Sequence, residues 1–300
     1  MTARQTDDRA VTLCHVSDFH LPLPASFPVY KLLSKRMLGY LNLKVFRGWH
    51  HHRASFMTLL AEMRRTNPDA TVLTGDVANL SLAVEFNSVR ALLDDAGFTP
   101  DNLLIVPGNH DRYTPGAARR KDFDAAMHPW IGDGPDVFPL LRPLGPIALI
   151  GLDSAVWRGP HRSAGRLHRA QLSRLEDLLH NRLDGRRPVV AIHHPPFRLT
   201  DSPLKQYLSG LDNYPRLLEI LAGHRAVVLH GHIHRRSDVT INDTRILGVP
   251  SASNESADPA RTMAFHTLRF DPDGRFAIHA TCYHAGADRF ETIALPGDMQ

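Results

Sequence analysis

The chain has 300 residues, 43% of them hydrophobic and 22% charged, the make-up of an ordinary globular protein with length for one large α/β domain. No apolar run is long enough to span a membrane. The polar start MTARQTDDRA lacks a signal-peptide core, so the expected setting is cytoplasmic. The pI is about 9.3 and the net charge +4, but residues 19–61 hold no Asp or Glu and carry Lys31, Lys35, Arg36, Lys44, Arg47 and Arg53, more positive charge than the whole chain's net. The basicity is one local patch, which suits an anionic partner.

Strand-length apolar runs alternate with helical patterns. VTLCHVS (11–17) reads as a strand. Residues 54–66 read as a helix with Phe56, Leu59, Leu60 and Met63 on one face. ATVLTG (70–75) is a strand, and 81–97 a helix stopped by Gly97. Strands follow at 102–106 and 147–153, a helix at 169–183, a strand at 188–194, a helix near 213–223 and a strand at 226–230. TRILGV, MAFHTLRF and RFAIHATCY read as further strands, the last two joined by a DPDG hairpin turn. This order implies a sheet buried on both faces, with a second sheet packed on it. No linker divides the chain, so residues 1–300 read as one domain with an insertion at about 21–52. Cys14 and Cys282 fall in strand-like runs and read as buried reduced thiols, in keeping with a cytoplasmic protein.

The unusual residues sit where these strands end. The first runs into SDFH, with Asp18 and His20. The second runs into GD, with Asp76. The third runs into GNHD, with Asn109, His110 and Asp111. HHPP supplies His193 and His194, and HGHIH supplies His230, His232 and His234. Open α/β sheets place ligand sites beyond the C-terminal ends of their strands. Five strand ends therefore bring His, Asp and Asn to one edge. In an extended chain, residues i and i+2 point the same way, so Asp18 with His20, and His232 with His234, are each expected to grip an ion. A carboxylate such as Asp76 can bridge two ions about 3.5–4 Å apart. Mixed imidazole and carboxylate donors suit Mn²⁺, Fe, Zn²⁺ or Co²⁺ better than Ca²⁺. Among 19 histidines single pairs fall together by chance; five motifs in order, each closing a strand, do not.

Together DFH, GD, GNHD, HHPP and GHIH resemble the calcineurin-like metallophosphoesterase superfamily, over about residues 11–284. GLDS (151–154) and GRLHRAQLSRLEDLL (165–179) extend the resemblance, and the insertion departs from it. The resemblance implies a four-layer αββα sandwich, two mixed β-sheets flanked by helices. It also implies two divalent metal ions. By position, Asp18, His20 and His234 would hold the first, Asn109, His193 and His232 the second, and Asp76 would bridge them. His193 is preferred to His194 because the pattern is His-x-Pro; His194 is left as a substrate-binding candidate. His230 reads as a strand residue, and Asn79 as support for the loop around Asp76.

The chemistry so implied is hydrolysis of a phosphodiester or phosphoanhydride by in-line attack of a metal-bridging hydroxide. His110 would stabilise the phosphoryl oxygens or protonate the leaving group. Asp111 would orient the His110 imidazole. Arg112 is a candidate phosphate contact, with a surface salt bridge as the other reading. Ser17 and Ser154 need no nucleophilic role. The expected substrate is a phosphate-containing small molecule or a lipid-linked one.

In the insertion, Val29, Leu32, Leu33, Met37 and Tyr40 share a helical face, with Lys31, Ser34 and Lys35 opposite. Such a basic amphipathic helix fits a cap on the sheet or peripheral contact with an anionic inner membrane face. Nucleic acid is the least favoured partner, since no stacking-aromatic pattern accompanies the charge. Three specific readings remain open. One is a UDP-2,3-diacylglucosamine pyrophosphatase of lipid A synthesis, which the insertion resembles. Another is a cyclic-nucleotide or glycerophosphodiester phosphodiesterase. The third is a non-catalytic scaffold, disfavoured because every ligand position is filled.

Overall fold

Alternation of strand and helix builds two sheets in the computed structural model, which describes residues 9–21, 53–134, 137–159 and 161–297. The basic amphipathic segment expected at 21–52 lies, beyond Leu21, outside the described residues.

The first sheet starts with β1 (Val11–Val16), crosses through α1 (Arg53–Arg65) to β2 (Ala70–Leu73), then through α2 (Ala83–Asp95) to β3 (Leu103–Ile105). These three strands are parallel. On the other side of β1 the sheet continues antiparallel through β10 (Ala264–Phe270), β11 (Phe276–His284) and β12 (Arg289–Leu295). Its order is β12-β11-β10-β1-β2-β3. The expected DPDG hairpin joins β10 to β11, with Gly274 at φ 78° and its N–H donating to the Asp271 carbonyl at 2.8 Å.

Helices α3 (Pro115–Arg120) and α4 (Asp122–Ile131) lead to the second sheet. It holds β4 (Leu140–Leu144), β5 (Ile147–Gly151), β6 (Arg187–Ala191), β7 (Val227–His230), β8 (Ser237–Ile241) and β9 (Thr244–Gly248). Their order is β4-β5-β6-β7-β9-β8, with β5, β6, β7 and β9 parallel. Helix α5 (Arg169–Asn181) crosses from β5 to β6; α6 (Pro203–Ser209) and α7 (Tyr214–Leu221) lie between β6 and β7.

The period-2 alternation of the strands sorts the core into layers. On the second sheet Leu149, Val189, Ala191, Val227, Leu229 and Leu247 join Leu13, Val72 and Phe265 of the first in one cluster. The alternate residues Ile150, Val190, Val228 and Ile246 pack against Leu172, Leu175 and Leu179 of α5 and Leu217 and Ile220 of α7. Phe86 and Leu93 of α2, with Leu59 and Met63 of α1, cover the first sheet. The expected four-layer αββα sandwich is what the chain builds.

Three strands were missed by sequence: β4, β8 and β12. All three are sheet edges. Most of their residues are at least partly exposed, and Pro143 in β4 cannot donate to a ladder, a substitution that edges tolerate. Edge strands lack the unbroken apolar pattern that marked their neighbours. The short helices α3, α4 and α6 were missed too; α4 holds Pro129 internally, and no residue of α6 is buried.

Leu175 is fully buried between α5 and the second sheet. Leu175→Ala is expected to lower stability by about 2–5 kcal/mol without loss of secondary structure, as measured by urea unfolding followed by circular dichroism.

Candidate metal centre

Five loops that leave the C-terminal ends of β1, β2, β3, β6 and β7 meet between the two sheets. All seven residues expected as ligands come together there. Asp18 Oδ1 lies 3.1 Å from His234 Nε2 and 3.6 Å from His20 Nε2, and the two imidazole nitrogens are 3.1 Å apart. Asn109 Oδ1 lies 3.1 Å from His193 Nε2 and 2.9 Å from His232 Nδ1. Between the two groups, Asp76 Oδ2 is 3.6 Å from His20 Nε2 and 3.4 Å from His193 Nε2. Two donors bound at right angles to one ion, each at about 2.1 Å, would be roughly 3 Å apart. The observed spacings match that, and Asp76 lies between the two groups.

The donors also fit a metal by what they lack. Asp18 Oδ1 is buried with no hydrogen-bond partner. Burial opposes charge on Asp18 and Asp76, yet His234 and His20 around the first, and His193, His110 and His20 around the second, hold both carboxyls well below their usual range. Burial likewise opposes charge on His193, but Asp76, Asp18 and the Thr74 carbonyl outweigh it and raise the imidazole to about 9. His193 Nδ1–H donates to the Thr74 carbonyl at 2.7 Å, and His232 Nε2–H to that of Ser209 at 2.9 Å. Each contact fixes the tautomer and turns the other ring nitrogen toward the centre.

The backbone at the site departs from the simple expectation. Neither Asp18 with His20 nor His232 with His234 uses strand alternation. β1 ends at Val16 and β7 at His230, and all four residues adopt positive φ: 55°, 42°, 69° and 47°. Asp76 does the same at 53°. Left-handed backbone at a non-glycine residue costs roughly 1–3 kcal/mol. Here it bends the chain so that side chains two apart converge. Glycines let the loops close up: a Cβ on Gly108 would collide with Asp76, and one on Gly231 with Ser17 and Asp18.

Three expected roles need correction. The Asp111 carboxylate does not meet the His110 ring. It accepts backbone N–H groups of Gly108, Asp76 and Ala78 at 2.8, 2.9 and 3.0 Å, binding the GNHD loop to the GD loop. The His110 imidazole is held instead by the Asn79 carbonyl, to which Nδ1–H donates at 2.7 Å. The ring stacks on Tyr113 with centroids 5.2 Å apart and stands edge-on to His20 at 4.9 Å.

Arg112 is not available to a phosphate. Its guanidinium grips Asp124 with two 3.0 Å bonds and Asp153 with one of 2.8 Å. His194 is wholly buried; its Nδ1 accepts from Ser154 Oγ and its Nε2–H donates to the Ser163 carbonyl, both at 2.8 Å. It braces the site rather than facing substrate. Ser17 and Ser154 are buried and engaged, as neither nucleophile would be. His230 closes β7 as a strand residue. Asn79 anchors the neighbourhood, its amide donating to the Leu21 carbonyl at 2.7 Å.

Sequence reasoning missed Glu85. It is buried, and its carboxylate accepts N–H groups of Asn79, Leu80 and Leu82 at 2.9, 3.1 and 2.8 Å. A Glu three residues into a helix is a capping signal and could have found it.

The family model for calcineurin-like phosphoesterases matches residues 11–236. The chain belongs to that family. Membership places it among the metal-dependent phosphoric ester hydrolases. The chain is 23% identical over 220 residues to glycerophosphodiester phosphodiesterase GpdQ of Enterobacter lignolyticus, covering 71% of this chain and 69% of that protein. It is 32% identical over 192 residues to the 3′,5′-cyclic adenosine monophosphate phosphodiesterase CpdA of Escherichia coli K12, covering 61% and 60%. It is 29% identical over 189 residues to a cAMP/cGMP dual specificity phosphodiesterase of Mycobacterium tuberculosis, covering 61% and 52%. The match thus spans between about half and two thirds of these relatives. Among solved structures, purple acid phosphatase PPD1 of yellow lupin superposes with TM-score 0.60 at 10% identity, covering 96% of this chain and 54% of that one, a likeness of fold.

Two predictions follow from the geometry. Asp111→Ala removes the acceptor of three buried N–H groups and is expected to cost more than about 3 kcal/mol of stability in urea unfolding; a residue that only oriented His110 would leave stability unchanged. His193, raised to about 9, carries a proton at pH 7 that a metal must displace. Calorimetry of Mn²⁺ binding in buffers of different ionisation enthalpy is expected to show proton release at pH 7 that disappears as the pH passes about 9.

Proposed function

We propose that the protein is a two-metal phosphodiesterase acting on a small diester. The observation that carries this reading is the position of Asp76 Oδ2 between His20 and His193, 3.6 and 3.4 Å away. Asp18, His20 and His234 would hold one ion and Asn109, His193 and His232 the other, with Asp76 shared. Bound divalent ions supply a water of lowered pKa and neutralise phosphoryl oxygens. The protein's own groups do the rest. With Nδ1–H donated to the Asn79 carbonyl, His110 would protonate the leaving group from Nε2 as the imidazolium. Tyr113 and His20 hold the ring in place from its face and its edge.

The relatives' names favour a cyclic-nucleotide or glycerophosphodiester substrate over the lipid-linked pyrophosphate. That rival rests on the segment at 21–52, most of which lies outside the described residues. A peripheral membrane contact rests on the same segment. Cys14 and Cys282 are buried free thiols, which supports a cytoplasmic setting. Among the described residues no helix is long and apolar enough to cross a membrane.

With Mn²⁺ added, hydrolysis of bis-p-nitrophenyl phosphate, 3′,5′-cAMP and glycerophosphocholine is expected for at least one diester and is expected to fall at least about 10³-fold in Asp76→Asn. For His110→Ala the loss should be about 10²–10⁴-fold for an alkyl diester and much smaller for the p-nitrophenyl ester, whose leaving group needs no proton. Equal losses for both esters would remove His110 from the leaving-group side. Full activity in Asp76→Asn would overturn the two-metal reading.

A further inference from the structure

A cavity of about 730 Å³ opens over the ends of β11 and β12. None of the candidate ligands lines it, but Arg236 does, two residues beyond His234 on the same loop. The Arg236 N–H donates to the Ala260 carbonyl at 2.7 Å, which ties that loop to the segment roofing the cavity. Cys282, at the cavity wall, lies on β11, two strands across from β1. At the usual strand spacing that is roughly 10 Å from the strand whose end carries Asp18.

The Arg236 guanidinium has an unusual environment. Among the described residues its one side-chain partner is Cys282 Sγ, at 2.9 Å. Burial raises the Cys282 thiol above its usual range although Arg236 opposes this, so the sulfur is neutral. A neutral thiol leaves most of the guanidinium's five donors open, and two carboxylates, Glu255 and Glu291, share the cavity wall with it. The other walls are mixed. Tyr283, Pro259 and Ile293 offer apolar faces, and Glu255 a carboxylate. A second phosphate is a poor match for a wall with Glu255 in it. A glycerol moiety is far smaller than the space, which falls in the range of about 300–1,000 Å³ that binds drug-sized ligands. A flat heterocycle with ring acceptors, joined to a hydroxylated sugar, matches all three features. It offers a π-face for Tyr283 and Pro259, acceptors for the guanidinium, and hydroxyl donors for Glu255.

We propose that this cavity is the subsite for the nucleoside part of the substrate, with Arg236 and Glu255 as its polar anchors. The proposal rests on the phosphodiesterase reading and narrows it from small diesters to nucleotides.

The test is calorimetric binding of AMP, glycerol 3-phosphate and inorganic phosphate to the Mn²⁺-loaded protein. All three present a phosphate to the metal centre, and only AMP can fill the cavity. AMP is expected to bind at least tenfold more tightly than glycerol 3-phosphate. Arg236→Gln should cut that margin at least fivefold. Ala257→Trp, an exposed wall position where a large side chain would fill the space without disturbing the core, should bring it within twofold of unity. Equal affinities for AMP and glycerol 3-phosphate in the unaltered protein, or a margin that survives Ala257→Trp, would overturn the proposal. Because the readout is binding, it separates from turnover. Cavity-dependent AMP binding in a protein that hydrolyses no diester would sink the reaction and keep the subsite. Diester hydrolysis with flat affinities would do the reverse.

Discussion

A carboxylate taken out of water must be compensated by charge or by hydrogen bonds, and Asp76 is the point on which this molecule concentrates that demand. One of its oxygens faces two imidazoles from different sheets, and the other accepts the His110 N–H at 2.7 Å. Asp18 repeats the pattern: Oδ2 accepts the His232 N–H at 3.0 Å, while Oδ1 has no hydrogen-bond partner. Each buried carboxylate thus spends one oxygen on the protein and turns the other toward the centre.

Holding that arrangement takes a shell of further polar groups. Asp111 and Glu85 both turn inward to collect backbone N–H groups, three each, from the loops that carry Asp76 and His110. Ser81 Oγ donates to the His110 carbonyl at 2.6 Å and accepts the Tyr113 N–H at 2.8 Å. Arg112 fastens α4 and the loop after β5 through Asp124 and Asp153. These contacts fix the loop that holds Asp76 in its left-handed conformation, which would relax in a free loop. Strain at the donors and satisfaction of the loop amides are two sides of one design: the fixed loops are what keep the donors about 3 Å apart.

The surroundings of His110 show how a neutral partner can substitute for a charged one. A carbonyl oxygen fixes the tautomer as well as a carboxylate does, but it brings no full negative charge next to Asp76. The misreading of Asp111 came from adjacency in sequence. At a tight turn, neighbouring side chains leave in different directions, and the nearest unsatisfied amides claimed the carboxylate. Of the two readings of Arg112 the fold makes the ion pair, since Asp124 and Asp153 reach it only once α4 and the loop beyond β5 fold over the site.

The sequence by itself determined the central strands, the sandwich and which residues gather at the candidate centre. Buried strands need unbroken apolar runs, and a metal centre needs particular atoms at strand ends, so both leave marks that survive in one dimension. The edge strands β4, β8 and β12 left weaker marks because half their surface meets water. What only the tertiary structure decided was partnership: which amide takes Asp111, which carbonyl holds His110, which carboxylates occupy Arg112, and that Arg236 is left facing a cavity with a thiol beside it. A polar side chain accepts whatever complementary group the fold brings within about 3 Å, and that choice is made by chain segments far apart in sequence.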